Sequence, residues 1–373
     1  MPGHLKALFP VIAFVASLCV ESRAAYSVTK TIALTGSGSF DFLTVEPAGR
    51  RLYIARTSEI VVVDIDNGSQ TGSVTGMSDA HGVALAPEFN KGFASNGGTN
   101  KVSVFDLKTL AVTASVAAGT DPDHVLYDPF SKKVFVMNNG SGNITVIDAA
   151  TNAVQATIQV GPTLELSVTD EAGRVFVGIA GTSNLGVINA TTLKKDAEWS
   201  ISPDGGSKTM GIDIPNHRLF NGGGSNIHAF DTQTGKAVGT TPNLSGSDGM
   251  EYDADRGVLF ASGTKGALQI TKWSVGDVFA PLVKLNTGGG KTIAFDKVTH
   301  AAFLVGANGS SVVVVSDPAA INVRLADRTR PLNRSPYVWT GFNVGFRPLG
   351  ADPDSKVCYF PNGRQASIVG QVK

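Results

Sequence analysis

The chain has 373 residues, 31 basic against 31 acidic side chains, and 43 glycines. Length alone suggests two domains of ordinary size. No long amphipathic helical pattern follows residue 24, however, and the abundant Gly, Asp, Asn and Thr suit tight turns between short strands, which argues against a helical fold.

The N-terminus reads as a targeting segment. Met1–Lys6 is weakly basic, Ala7–Val20 is an apolar run of 14, and Ser22-Arg23-Ala24 places small residues where a signal peptidase cuts. The run is shorter than the ~20 residues that span a bilayer. Residues 1–24 are therefore expected to be a cleaved signal peptide, with a mature chain that lacks a membrane span and resides in the periplasm or outside the cell. Cleavage leaves Cys358 as the single cysteine, so no intrachain disulfide is expected in the mature chain.

Ser27–Leu34, followed by Gly36, resembles the closing strand of later segments such as Ala114–Ala118 before Gly119. It precedes any opening strand. Such an orphan completes a ring by pairing with a blade begun at the other terminus, and the expected partner is the segment 291–316.

From there the chain repeats. Leu52-Tyr53, Gly92-Phe93, Val134-Phe135, Val175-Phe176, Leu219-Phe220, Leu259-Phe260 and Ala302-Phe303 are separated by 40, 42, 41, 44, 40 and 43 residues. An acidic or amide turn keeps the same beat at Asp64, Asp106, Asp148, Asn189 and Asp231, spaced 42, 42, 41 and 42. Four short strands per period of about 42, held over seven copies, predict a seven-bladed β-propeller. The blades begin near Asp41, His81, Asp123, Leu164, Lys208, Asp248 and Lys291. Blade six is the weakest copy, because Leu268–Trp273 lacks the acidic turn. The expected organisation is a signal peptide at 1–24, a propeller at 25–320 and a basic extension at 321–373.

The extension holds six Arg and two Lys against three Asp, a net charge of +5. Since the whole chain is neutral and the leader carries +1, the propeller is near −6. Nucleic-acid affinity comes mainly from phosphate neutralisation, so nucleic acid is not the expected partner. The extension reads as a basic segment that packs on something acidic, as a poorly ordered tail, or as a replaced reading frame.

Propeller sites lie where loops enter the innermost strands. Twelve residues before each repeat aromatic stand Asp41, His81, Asp123, Leu164, Lys208, Asp248 and Lys291; one further on stand His124 and Glu165, among others. A ring of His, carboxylate and Lys groups in a concave mouth is the default site. The candidate ligand-binding residues are Asp41, His81, Asp123, His124, Glu165, Lys208, Asp248 and Lys291. His81 and His124, on adjacent blades, could ligate a divalent metal with nearby carboxylates. Alternatively they cap strand ends, while Lys208 and Lys291 either receive an anionic ligand or neutralise Asp41, Asp123 and Asp248 across the channel. No cofactor is established by any motif. Gly-x-Ser-x-Gly, His-Glu-x-x-His, Cys-x-x-Cys and Cys-x-x-Cys-His are all absent from the sequence.

His81-Gly-Val-Ala-Leu-Ala-Pro, Gly92-Phe-Ala-Ser-Asn-Gly-Gly, Val102-Ser-Val-Phe-Asp-Leu-Lys-Thr and Asp121-Pro-Asp-His-Val-Leu-Tyr-Asp-Pro resemble the YncE-like, YVTN-repeat propellers secreted by bacteria. The resemblance covers residues 26–316 and implies a seven-bladed fold related to the quinoprotein and nitrous-oxide-reductase propellers. It implies a binding or scaffold role rather than an established reaction, with nucleic-acid binding suggested for some members. Leu164-Glu165 and Ser207-Lys208-Thr209 depart from that pattern. The first functional expectation is therefore an exported monomeric propeller that presents its channel mouth to a small ligand or a protein. The alternative is a metal- or quinone-dependent oxidoreductase, or a lactonase-like hydrolase, built on the same mouth.

Overall fold

The computed structural model describes residues 26–317, apart from 37, 202–206, 245, 275 and 307–308, and the backbone of two short paired strands, Val357–Tyr359 and Gln365–Ser367. The signal peptide expected at 1–24, and the basic extension apart from those two strands, lie outside the described residues. Among the described residues no helix is long and apolar enough to cross a membrane.

Seven four-stranded antiparallel sheets follow one another in the predicted order. Blade one, for example, is Phe40–Glu46, Arg51–Arg56, Glu59–Asp64 and Gln70–Thr75. The orphan strand closes the ring as expected. Ser27–Ala33 pairs antiparallel with Ser311–Ser316, from Ser27 opposite Ser316 to Ala33 opposite Ser311. It completes the blade built from Ile293–Asp296, Ala301–Val305 and Ser311–Ser316.

The apolar residues fall into seven clusters, and each cluster joins two neighbouring blades. All seven repeat aromatics, Tyr53 through Phe303, are buried in them, each against the following blade; Phe303 packs against blade one. This is why the second and third strands read as near-continuous apolar runs rather than alternating ones, since both faces of each sheet are covered.

The recurring acids are turn residues. Asp106 Oδ1 accepts the backbone N–H groups of Lys108 and Thr109, both at 2.8 Å. Asp64, Asp148, Asn189 and Asp231 each cap their own hairpin in the same way. An Asx side chain satisfies amide donors that a tight turn leaves unpaired. Without such a residue the outer hairpin of blade six runs on, through Ala267–Ser274 and Val278–Asn286, and is the longest in the ring. Gly288-Gly289-Gly290 is an inter-blade turn with φ of 66°, 150° and 113°, a conformation that favours glycine.

A second set of acids recurs at the opposite ends of the inner strands. Seven residues before the repeat aromatics stand Glu46, Asp128, Asp213, Asp253 and Asp296, all buried at the far ends of the innermost strands. Most of them bridge blades. Asp128 accepts the Thr169 hydroxyl at 2.7 Å, Asp253 the His300 Nδ1–H at 2.9 Å, and Asp296 the Arg50 guanidinium at 2.7 Å. Asp213 likewise takes the Tyr252 hydroxyl.

Two outcomes test this architecture. Phe135→Ala should cost roughly 3–5 kcal/mol, the usual range for emptying a buried aromatic site, read by denaturant unfolding. Deleting residues 26–34 should bare the Ser311–Ser316 edge and produce oligomers on size-exclusion chromatography, because an unpaired edge strand templates association.

Candidate functional site

The innermost strand of most blades carries an irregularity at its mouth end. In blade one Phe40 pairs with Arg56 and Leu43 with Ile54, so Asp41 and Phe42 together face a single residue. The same shift falls at Asp123-His124, Glu165-Leu166, Lys208 and Asp248. A bulge frees its residues from strict alternation and turns the local side chains to a new direction. Five strands therefore aim their first polar residues at the axis. His81 and Lys291 reach the same place from loops, two residues before Val83 and Ile293.

At the mouth His81 is the hub. Its Nδ1 lies 2.8 Å from Asp41 Oδ2 and 3.7 Å from Asp123 Oδ1, while Nε2 lies 3.5 Å from Asp79 Oδ2 and 3.9 Å from Asp121 Oδ1. Lys291 Nζ sits 3.2 Å from Asp41 Oδ1 and 3.5 Å from Asp248 Oδ2. The expected neutralisation across the channel is thus present for Lys291, Asp41 and Asp248. Glu165 joins through its charge interactions with Lys208 and Asp248, and Lys208 is exposed.

These contacts set the protonation states. The hydrogen bond to Asp41, reinforced by the Asp123 charge, outweighs burial and raises His81 to about 9, so it is an imidazolium at neutral pH. Burial, with the Asp41 charge behind it, pushes Asp123 up to about 7 even though His81 opposes the shift. Burial also raises Glu165 and Asp248. For Lys291 burial works downward, yet Asp41 and Asp248 outweigh it and raise the ammonium. Asp123 Oδ1 is buried and has no hydrogen-bond partner among the described residues.

His124 does not join His81. It turns inward, its ring edge-on to Phe42 at 4.9 Å between centroids, with Nδ1 3.1 Å from Ser167 Oγ. Burial lowers it to about 4, and it is neutral. Of the described groups able to hold a metal, Asp41/His81/Asp123 and Asp79/His81/Asp121 contain His81, a third is Asp253/Asp255/His300 away from the mouth, and none contains His124; in each the ligand atoms lie within 4.8 Å of one another. The expected two-histidine site therefore becomes a site with one histidine. Asp123 faces His81 at the mouth while the next residue, His124, faces inward to Phe42 and Ser167, so the two imidazoles do not converge.

Two cavities flank the charged ring. A recess of about 380 Å³ beside the mouth is lined by Phe40, Asp41, Lys291, Thr292, Gly289 and Gly290 among others. Beneath the ring an axial cavity of about 570 Å³ is walled by the innermost strands and contains His124 and Glu251. Glu251 was not among the residues expected from sequence. It stands nine residues before its repeat aromatic, where the other blades carry the uncharged Thr44, Ala84, Leu126, Ser167, Gly211 and Ala294, and that departure is the signal that marks it.

No protein-family model and no curated protein matches this chain. Its structural likenesses include hydrazine synthase of Kuenenia stuttgartiensis, at a TM-score of 0.65 and 15% identity over 76% of this chain and 97% of that one. A chain of the mitotic checkpoint complex gives a TM-score of 0.68 and 13% identity, covering 84% of this chain and 99% of that one. The β-propeller domain of Cps50 (Swd1) from Myceliophteria thermophila gives 0.65 and 14%, covering 78% of this chain and 99% of that one. At such identities the likeness extends to the fold alone, and on that ground the chain is a seven-bladed β-propeller.

Proposed function

We propose that this protein is an exported, YncE-like binding propeller whose mouth takes a cationic group, either on a small ligand or as a Lys or Arg side chain of a partner protein. The observation that carries the reading is Asp123 Oδ1, a buried acceptor left without a hydrogen-bond partner among the described residues. Around it the carboxylates of Asp41, Asp79, Asp121, Glu165 and Asp248 outnumber the cations His81, Lys208 and Lys291. Such a field attracts positive charge and repels phosphate, which also disfavours nucleic acid. The 380 Å³ recess beside Asp41 and Lys291 leaves room for the rest of a ligand.

The second reading is a divalent metal on Asp41, His81 and Asp123, favoured by the spacing of their ligand atoms. Imidazole with carboxylates suits Zn or another first-row ion, and it would give a hydrolase or oxidoreductase its electrophile. The metal must displace the protons that His81 and Asp123 hold, so its affinity should rise with pH from about 6 to about 9. Elemental analysis of purified protein separates the two readings. Stoichiometric metal, lost in His81→Ala, selects the second; metal-free protein that binds N-acetyl-lysine amide in calorimetry, about tenfold more weakly as Asp123→Asn, selects the first.

Asp123 also makes a stability prediction for the metal-free chain. A folded-state value of about 7 lies above the ordinary carboxylate value of about 4. The folded chain therefore holds that proton more tightly than the unfolded one, and this contribution is lost as pH rises through about 7. Asp123→Asn should thus melt higher than wild type at about pH 8, with the gain shrinking below about pH 7 and disappearing only below about pH 4. A lower melting point at the alkaline pH would mean that the ionised carboxylate is favourably held.

A further inference from the structure

We propose that the axial cavity is a second binding site, for a small uncharged, largely apolar molecule bearing carbonyl or ether oxygens, and that it is entered from the face opposite the charged mouth. The inference goes beyond the mouth reading and does not depend on it.

The cavity of about 570 Å³ is of ordinary ligand-pocket size. Phe42, Leu126, Leu166, Met210 and Met250, contributed by different blades, give it apolar walls beside polar ones. None of the charged mouth residues Asp41, His81, Asp123, Lys208, Asp248 or Lys291 lines it. Exposed Pro87, Glu88, Glu171 and Lys297, from the first hairpins of their blades, do line it. The opening is therefore at the hairpin face, and the ion-paired ring lies at the other end.

The charged residues Glu46, Glu88, Glu171 and Lys297 line the cavity at its hairpin end, while Glu251 and His124, deeper in, are both held uncharged. Glu251 on blade six has no hydrogen-bond or ion-pair partner among the described residues, and burial pushes it up to about 8. At neutral pH it is a carboxylic acid and can donate a hydrogen bond. His124 stands on blade three, three blades away around the ring and hence across the axis. The backbone N–H of Ser167 donates to His124 Nδ1 at 3.3 Å, which fixes Nδ1 as the acceptor and places the proton on Nε2. The cavity thus offers a hydrogen-bond donor on each of two facing walls and no fixed charge between them. A ligand that carries acceptor oxygens on an apolar body satisfies both donors. An ion drawn in past the hairpin end would meet no counter-charge between these two donors.

Prodan, an uncharged naphthyl ketone with polarity-sensitive fluorescence, is a suitable probe for the full mature chain. Wild-type protein should bind it saturably, with blue-shifted emission. Glu251→Leu should weaken binding about fivefold, the equivalent of one net hydrogen bond, whereas Glu251→Gln, which keeps a donor, should stay close to wild type. Met210→Trp should abolish saturable binding by filling the cavity. Ile212→Trp fills it from the neighbouring pleat and decides the matter should Met210→Trp fail to fold. Non-saturable uptake by wild type, or undiminished affinity in both Glu251→Leu and a folded cavity-filling variant, would overturn the assignment.

Discussion

Burial between blades is the constraint on which this structure depends. Each sheet hides both faces against its neighbours, and the seven apolar clusters lie between blades rather than within them. A lone blade would expose two apolar faces, and a short sheet of that kind has little independent stability. The repeat aromatic of each blade is spent on the next one, so the seventh must meet the first, as Phe303 does against Leu52 and Ile54. Pairing of Ser27–Ala33 with Ser311–Ser316 fixes that meeting by backbone hydrogen bonds between the two ends of the propeller. The buried acids at the far ends of the inner strands add polar ties at several of the same joints, and the Arg50–Asp296 contact again spans the closing one.

Once the ring is closed, each inner strand can deviate at its axial end without loosening the core. The bulges sit there, where Asp41, Asp123, Glu165, Lys208 and Asp248 leave the pairing register. The next paired residues, such as Leu43 and Val125, are buried again. Scaffold and site are thus separated by about two residues of chain. The bulge gives each blade freedom in what it presents to the axis, and the presented residues accordingly differ from blade to blade while the aromatics do not.

That separation explains what could be read from the sequence. The period, the closing strand and the turn role of Asp106 were legible because each follows from a local pattern repeated many times. The composition of the mouth was legible as well, since position within the period places Asp41, His81, Asp123, Asp248 and Lys291 at one end of the ring. Side-chain direction was not. An alternating reading puts Asp123 and His124 on opposite faces of a strand, but only the bulge determines that one meets His81 and the other meets Phe42 and Ser167. Glu251 was hidden for a similar reason. It shares its strand with Asp248 and Asp253 but has no counterpart in the other blades, so the period does not place it until the strand is known to line a channel.

The two histidines show how far environment decides chemistry. They lie on adjacent blades at nearly equivalent positions, yet His81 is raised to about 9 and His124 lowered to about 4. At the mouth, hydrogen bonding and charge outweigh the loss of water; inside the cavity, loss of water dominates. Asp41 stands at the boundary. Its carboxylate binds His81 and Lys291, and its charge slightly opposes the desolvation of His124. Its neighbour Phe42 packs directly on the His124 ring. Whatever neutralises Asp41 at the mouth therefore also removes a stabilising charge from His124, which becomes still harder to protonate. The charged mouth and the uncharged cavity remain chemically distinct, and they meet at this one dipeptide.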